Sequence, residues 1–189
     1  MNKNTKKIAG VGLLTAIVFA LQALGGAVRL GPFSISLVLI PIVVGAALYG
    51  KLSGAWLGLA FGAAVFASGD AALFFSIDPF GAVVTVLVKG LLAGLIAGAV
   101  YGLLEKKNKT AAAITAAVVC PVVNTGVFLL GCVIFFMDAV KEWAAGTNVF
   151  VYMITGLVGF NFIFELGANL VLAPVITKLV RLGRKENSK

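Results

Sequence analysis

The chain has 189 residues, of which 61% are hydrophobic and only 12% are charged, and its mean hydropathy is +1.10. Soluble domains carry about 25% charged residues, so this composition excludes a soluble globular protein and predicts an integral membrane protein. The sequence has no histidine and no cluster with metal-ligand spacing, so neither a metal site nor a cofactor is expected.

Six apolar segments predict an all-α integral membrane protein, a compact bundle of six transmembrane helices that forms one domain over residues 1–189. Runs of about 18 or more apolar residues are long enough to cross a bilayer. The second and third segments are short, so they form either two spans or one re-entrant hairpin, and Gly50 and Lys51 offer a polar turn between them. The predicted spans are residues 8–28, 35–48, 52–68, 80–104, 111–136 and 149–180.

The basic residues predict the orientation of this bundle. Twelve of the fifteen Lys and Arg residues fall on one side of the six-span arrangement. Because cytoplasmic loops are enriched in Lys and Arg, this side and both termini are expected in the cytoplasm, and the protein in a bacterial cell membrane. Topology thus explains the net charge of +8, and no basic patch with interleaved aromatic residues indicates nucleic-acid binding. The twelve residues are Lys3, Lys6, Lys7, Lys51, Lys106, Lys107, Lys109, Lys178, Arg181, Arg184, Lys185 and Lys189.

The first span carries a strip of small residues, Gly12, Ala16 and Ala20, at intervals of four. Such a strip lets another helix backbone approach closely in a membrane. It serves either packing within this bundle or docking of a separate subunit. The connection that follows, residues 29–36, contains a Gly-Pro pair and is either a lid or an ordinary turn.

The third and fourth spans each carry a ladder of glycines at intervals of four. Residues of this kind permit tight helix–helix contacts in lipid. The ladders predict a compact bundle without a wide aqueous pore. They consist of Gly54, Gly58 and Gly62 in the third span and of Gly90, Gly94, Gly98 and Gly102 in the fourth.

Lys89 is the basic residue placed inside a predicted span, about 13 Å from its outer end at the usual helical rise. That depth is too great for easy snorkelling, so the side chain is expected to face a cavity or a carboxylate. Glu165 is the acidic residue within a predicted span. Lys89 therefore either pairs with Glu165 or binds an anionic group of a ligand.

Three polar side chains, Asn161, Glu165 and Asn169, recur at intervals of four in the last span. On a helix they lie on one face, and charged groups in hydrocarbon are usually retained for function. We expect this stripe to face a binding cavity. Asn124, at a similar depth in the fifth span, is expected to bond to Asn161 or to frame a ligand with it.

These features together resemble the S component, the substrate-binding subunit, of the energy-coupling factor (ECF) family of vitamin importers. The similarity covers nearly the whole chain. It rests on chain length, six spans, cytoplasmic termini, the Ala-x-x-x-Ala motif of Ala16 and Ala20, the segment 37–62, and the ending Glu165, Asn169 and Pro174.

The resemblance implies a role and a set of partners. In this family the Ala-x-x-x-Ala face contacts a transmembrane coupling subunit, two cytoplasmic ATPases supply energy, and the S component topples in the membrane to release its ligand. Ala16 and Ala20 would then dock the coupling subunit. The implied substrate-binding residues are Lys89, Asn124, Asn161 and Glu165, with Asn169 bracing the bundle.

The expected function is therefore capture of a vitamin or related micronutrient by a membrane subunit that performs no chemistry itself. The alternative is a stand-alone secondary transporter or channel in which Glu165 carries protons. A membrane enzyme is disfavoured because the sequence offers no histidine and no recognised nucleophile–base or paired-acid arrangement.

Overall fold

The computed structural model describes residues 2–25, 29–30, 33–34 and 37–187, and these residues are almost entirely helical. The connection 29–36, predicted to be either a lid or an ordinary turn, contains a small antiparallel pair of strands, β1 (Arg29–Leu30) and β2 (Phe33–Ser34). Residues 31–32 and 35–36 of this connection lie outside the described part. The helices are α1 (Lys3–Gly25), α2 (Leu39–Tyr49), α3 (Lys51–Ala67), α4 (Ala72–Ile77), α5 (Pro79–Leu104), α6 (Lys109–Phe135), α7 (Met137–Ala144), α8 (Val149–Tyr152), a π-helix (Met153–Val158) and α9 (Gly159–Asn187).

Among the described residues, four helices are long and apolar enough to cross a membrane: α1, α5, α6 and α9. The predicted second and third spans correspond to α2 and α3. With 11 residues, α2 is about 16 Å long, roughly half of the hydrocarbon thickness. The predicted end of the first span and start of the second lie outside the described residues, and the count of six spans stays a prediction.

The predicted outer loops are also partly helical. Residues 69–79 contain α4 and residues 137–148 contain α7. Asp78 ends α4 and caps α5, since its Oδ1 accepts a hydrogen bond from the Gly81 amide at 3.0 Å and Pro79 occupies the first helical position. The chain therefore turns directly from α4 into the long helix α5.

Glycines bring α3 and α5 into backbone contact. A Cβ built at Gly58 would overlap the carbonyl oxygen of Gly90, and one built at Gly54 would overlap that of Gly94. The ladders thus face each other at these glycines, although not at Gly102, and there the two helices are as close as their backbones allow. The helices α1, α2, α4 and α6 pack against this pair, whereas α9 packs against α2 and α6.

Buried side chains form two apolar clusters. The larger runs through the middle of the bundle and joins α1, α2, α3, α5, α6 and α9. The smaller lies at the end of the bundle that carries α4 and α7, where Phe74 packs edge-on against Phe128, Phe136 and Trp143 at centroid distances of 5.4, 5.0 and 5.8 Å. Phe74 and Phe128 of this cluster also line a cavity between the two clusters.

Candidate ligand-binding site

A cavity with a volume of about 100 Å³ lies between the two apolar clusters, on the side of α4 and α7. It is surrounded by the ends of α1 and α3, the middle of α5 and α6, the π-helix and the start of α9. All four residues expected from the sequence to bind substrate contribute to its wall. Its polar lining residues are Gln22, Asp70, Lys89, Asn124, Thr125, Asn161 and Glu165.

Lys89 extends from α5 between two aromatic rings. Its Nζ lies 5.5 Å from the ring centroid of Phe61 and 5.4 Å from that of Phe128. Both distances are within the range in which a cation is attracted by the face of an aromatic ring. The two rings hold the ammonium group at the cavity wall.

Lys89 and Glu165 line the same cavity without forming an ion pair. Within the described part of the chain, no carboxylate oxygen lies within salt-bridge distance of the Lys89 ammonium. Glu165 is 8% exposed and Lys89 is half-buried, and both side chains border the same cavity. The direct pairing that the sequence left open is absent here, and the arrangement leaves the Lys89 charge available to an anion.

The polar stripe of the last span divides into two parts. Asn161 and Glu165 line the cavity, whereas Asn169 is fully buried and donates a hydrogen bond from Nδ2 to the Glu165 backbone carbonyl at 2.8 Å. Asn169 therefore braces α9 one turn away from the site. The helical spacing of four places all three residues on one face, but the cavity reaches only the first two.

Two amide oxygens at the cavity have no hydrogen-bond donor in the described part of the chain. Among the described residues, Oδ1 of Asn124 and Oδ1 of Asn161 are buried and accept no hydrogen bond. A buried polar atom without a partner costs about 1–3 kcal/mol. The two amides do not satisfy each other, so a polar molecule in the cavity has hydrogen-bonding groups available to it on two walls.

The family model of the ECF transporter substrate-specific component matches residues 6–177. The chain belongs to this family. Members of the family are the substrate-binding subunits of ECF transporters and not enzymes, and they are multi-pass membrane proteins. A comparison with curated proteins gave no match.

Several residues of this S component line the site without having been among the expected site residues, including Gln22, Phe61, Asp70 and Phe128. Phe128 follows Asn124 by one helical turn and therefore shares its face, which is a signal the sequence did contain. Gln22 is a polar side chain in the apolar part of α1, and the reasoning that pointed to Glu165, a polar group within an apolar segment, applies to it as well.

An apolar groove of about 600 Å³ adjoins the cavity. It lies between α6 and the segment formed by the π-helix and the start of α9. Thr125, Val158 and Phe162 line both spaces, so a wall one side chain thick separates them.

Ala16 and Ala20 lie on the exposed face of α1, away from the cavity. The opposite face of α1 packs into the bundle through Val18, which is fully buried. The third residue of the strip, Gly12, has no atom within 4 Å of an added Cβ. The strip is thus not used for packing within the described part of this chain.

Proposed function

We propose that this S component captures a vitamin or related micronutrient bearing an anionic group from the outside of a bacterial cell. The single observation that carries the proposal is the convergence of Lys89, Asn124, Asn161 and Glu165, from three helices, on one cavity in which Lys89 has no ion-pair partner among the described residues. Ligand sites typically combine apolar walls with a few convergent polar groups.

Each side chain has a distinct part in the proposed complex. Lys89 binds the carboxylate or phosphate of the ligand, because a charge-assisted hydrogen bond in an enclosed site is strong. Asn124 and Asn161 orient the ligand through their amides, and Glu165 accepts a donor from it. The cavity of about 100 Å³ has room for several water molecules but is too small for a vitamin. A vitamin-sized ligand therefore enters as the wall at Phe162 moves.

Uptake in this proposal depends on partner subunits. Ala16 and Ala20 on the exposed face of α1 form the docking strip for a transmembrane coupling subunit, and two cytoplasmic ATPases supply energy. The positive-inside bias orients the chain with its termini, and these ATPases, in the cytoplasm. The cavity then opens toward the outside, where α4 and α7 lie.

The direct test is identification of the small molecule that co-purifies with the protein. We expect mass spectrometry of the denatured, detergent-purified protein to reveal one enriched anionic compound. Asn124→Leu, which removes the amide at nearly constant volume, should lower the retained amount, whereas Leu130→Ala on the exposed side of the same helix should not. Equal retention by both variants would contradict the proposed site.

The stand-alone transporter is tested separately, because Glu165 at the cavity wall is the feature that supports it. Vesicles that contain only this chain should not accumulate the co-purifying compound under a pH gradient. Accumulation that Glu165→Gln abolishes would establish proton-driven transport by this chain and refute dependence on ATPases.

A further inference from the structure

Gln22 is a buried amide whose orientation is determined by its neighbours. The side chain is 2% exposed, near the end of α1, and lines the cavity. Its Nε2 donates hydrogen bonds to Asp70 Oδ2 at 2.5 Å and to Ser68 Oγ at 3.2 Å. These contacts connect α1 to the turn that follows α3.

The direction of each hydrogen bond in this network is fixed. A carboxylate oxygen only accepts, so the nitrogen of the Gln22 amide must face Asp70. The Ser68 hydroxyl donates to the Val65 carbonyl at 3.1 Å, so it accepts from Gln22. Oε1 therefore points away from both partners, and it is buried without a hydrogen-bond donor among the described residues.

Gln22 differs in this respect from the other amides at the cavity. No hydrogen bond in the described part of the chain determines which atom of Asn124 or Asn161 faces the ligand, so either can donate or accept. Gln22 offers only an acceptor. A buried acceptor discriminates against molecules that leave it unpaired.

We propose that Gln22 Oε1 accepts a hydrogen bond from the ligand, which must therefore carry an N–H or O–H donor in addition to its anionic group. This inference rests on the proposed function and names the substrate class more narrowly: small molecules with an anion for Lys89 and a donor for Gln22. The contact also gives α1, whose exposed face carries Ala16 and Ala20, a side chain at the ligand site.

The test uses an equimolar mixture of vitamins and cofactors with the protein purified in detergent. Biotin, pantothenate, folate and pyridoxal 5′-phosphate carry an anion and a donor, nicotinate and lipoate carry an anion without a further donor, and riboflavin and thiamine lack an anionic group. We expect the wild type to retain a compound of the first group and Gln22→Met to bind it about 5- to 10-fold more weakly, the equivalent of one hydrogen bond.

A second measurement separates ligand contact from a purely structural role. The donor group of the retained compound is methylated, and affinities of both forms are measured for the wild type and for Gln22→Met. If Gln22 accepts from that donor, methylation weakens binding to the wild type about 5- to 10-fold more than binding to the variant. Ser68→Ala is the matched control, because it removes one Nε2 contact and keeps Oε1, and it should bind within about twofold of the wild type.

The outcomes distinguish this inference from the proposed function. Retention of nicotinate or lipoate, or retention of a donor-bearing anion that Gln22→Met does not weaken, overturns the inference and leaves the proposed function intact. Retention of riboflavin or thiamine that depends on Gln22 supports the donor contact and refutes the anion-binding role of Lys89. Absence of any retained compound refutes both.

Discussion

Replacing Lys89 with Met should weaken ligand binding without destabilising the ligand-free protein. Methionine keeps a long, flexible side chain between Phe61 and Phe128 and removes the charge. In the ligand-free protein the substitution loses two cation–π contacts, each about 0.5–2 kcal/mol. It also removes an ammonium group at the cavity wall that has no ion-pair partner in the described part of the chain, and holding such a charge away from water is costly. These terms oppose each other, so the unfolding temperature should stay unchanged or rise.

The ligand complex should respond in the opposite direction. Removing one partner of a buried charge pair costs about 2–4 kcal/mol, which corresponds to a roughly 30- to 700-fold increase in Kd. Isothermal titration calorimetry in detergent with the co-purifying compound measures this change. Thermal unfolding of the ligand-free variant, followed by intrinsic fluorescence, measures the stability.

Lys141→Met is the matched control for loss of one positive charge. Lys141 lies in α7, its side chain is 57% exposed, and it pairs with Asp138 at 3.0 Å on the surface. Exposed pairs contribute about 0–1 kcal/mol, so Kd should change less than about fivefold. Unchanged affinity of Lys89→Met would refute its role in binding. A loss of several kcal/mol in ligand-free stability would show that Lys89 is required for folding instead.

Three further substitutions test the packing of α3 on α5, the docking strip on α1 and the ligand site. Gly58→Ala should destabilise the ligand-free protein by about 1–3 kcal/mol through overpacking, whereas Gly102→Ala, where an added Cβ meets no atom within 4 Å, should be neutral in the same thermal unfolding assay. Ala16→Trp should abolish uptake in cells but leave Kd unchanged, and Val171→Trp, at a 77% exposed position of α9, should support uptake; uptake by Ala16→Trp would exclude the docking strip. Asn161→Ala should raise Kd about 3- to 10-fold for one lost hydrogen bond, and an unchanged calorimetric Kd would remove it from the site.

Helix positions were predictable wherever apolar length and capping agreed. The predicted span 80–104 is α5 (Pro79–Leu104) almost residue for residue, because Asp78 and Pro79 mark its start. The predicted span 149–180 contains α8, the π-helix and most of α9. Apolar composition does not distinguish a π-helix from an α-helix, so the sequence gives no sign of the change within this span.

Part of the polar lining of the cavity was predictable from the sequence, and its aromatic lining was not. Lys89 and Glu165 are conspicuous because charges in an apolar segment need a physical reason. Phe61 is one of 14 phenylalanines, and only the contact between α3 and α5 brings it to the Lys89 ammonium. Gln22 depends on the fold in the same way, since its partners Ser68 and Asp70 lie far along the chain.

The glycine contact between α3 and α5 has a mechanical consequence. Phe61 and Lys89 belong to these two helices, which cannot slide or separate without losing backbone contact at Gly58 and Gly90. The two helices therefore form a rigid pair that carries the Lys89 ammonium and the Phe61 ring. If the whole subunit tilts in the membrane during transport, we expect α3 and α5 to rotate together, with the Lys89 ammonium and the Phe61 ring in fixed relation.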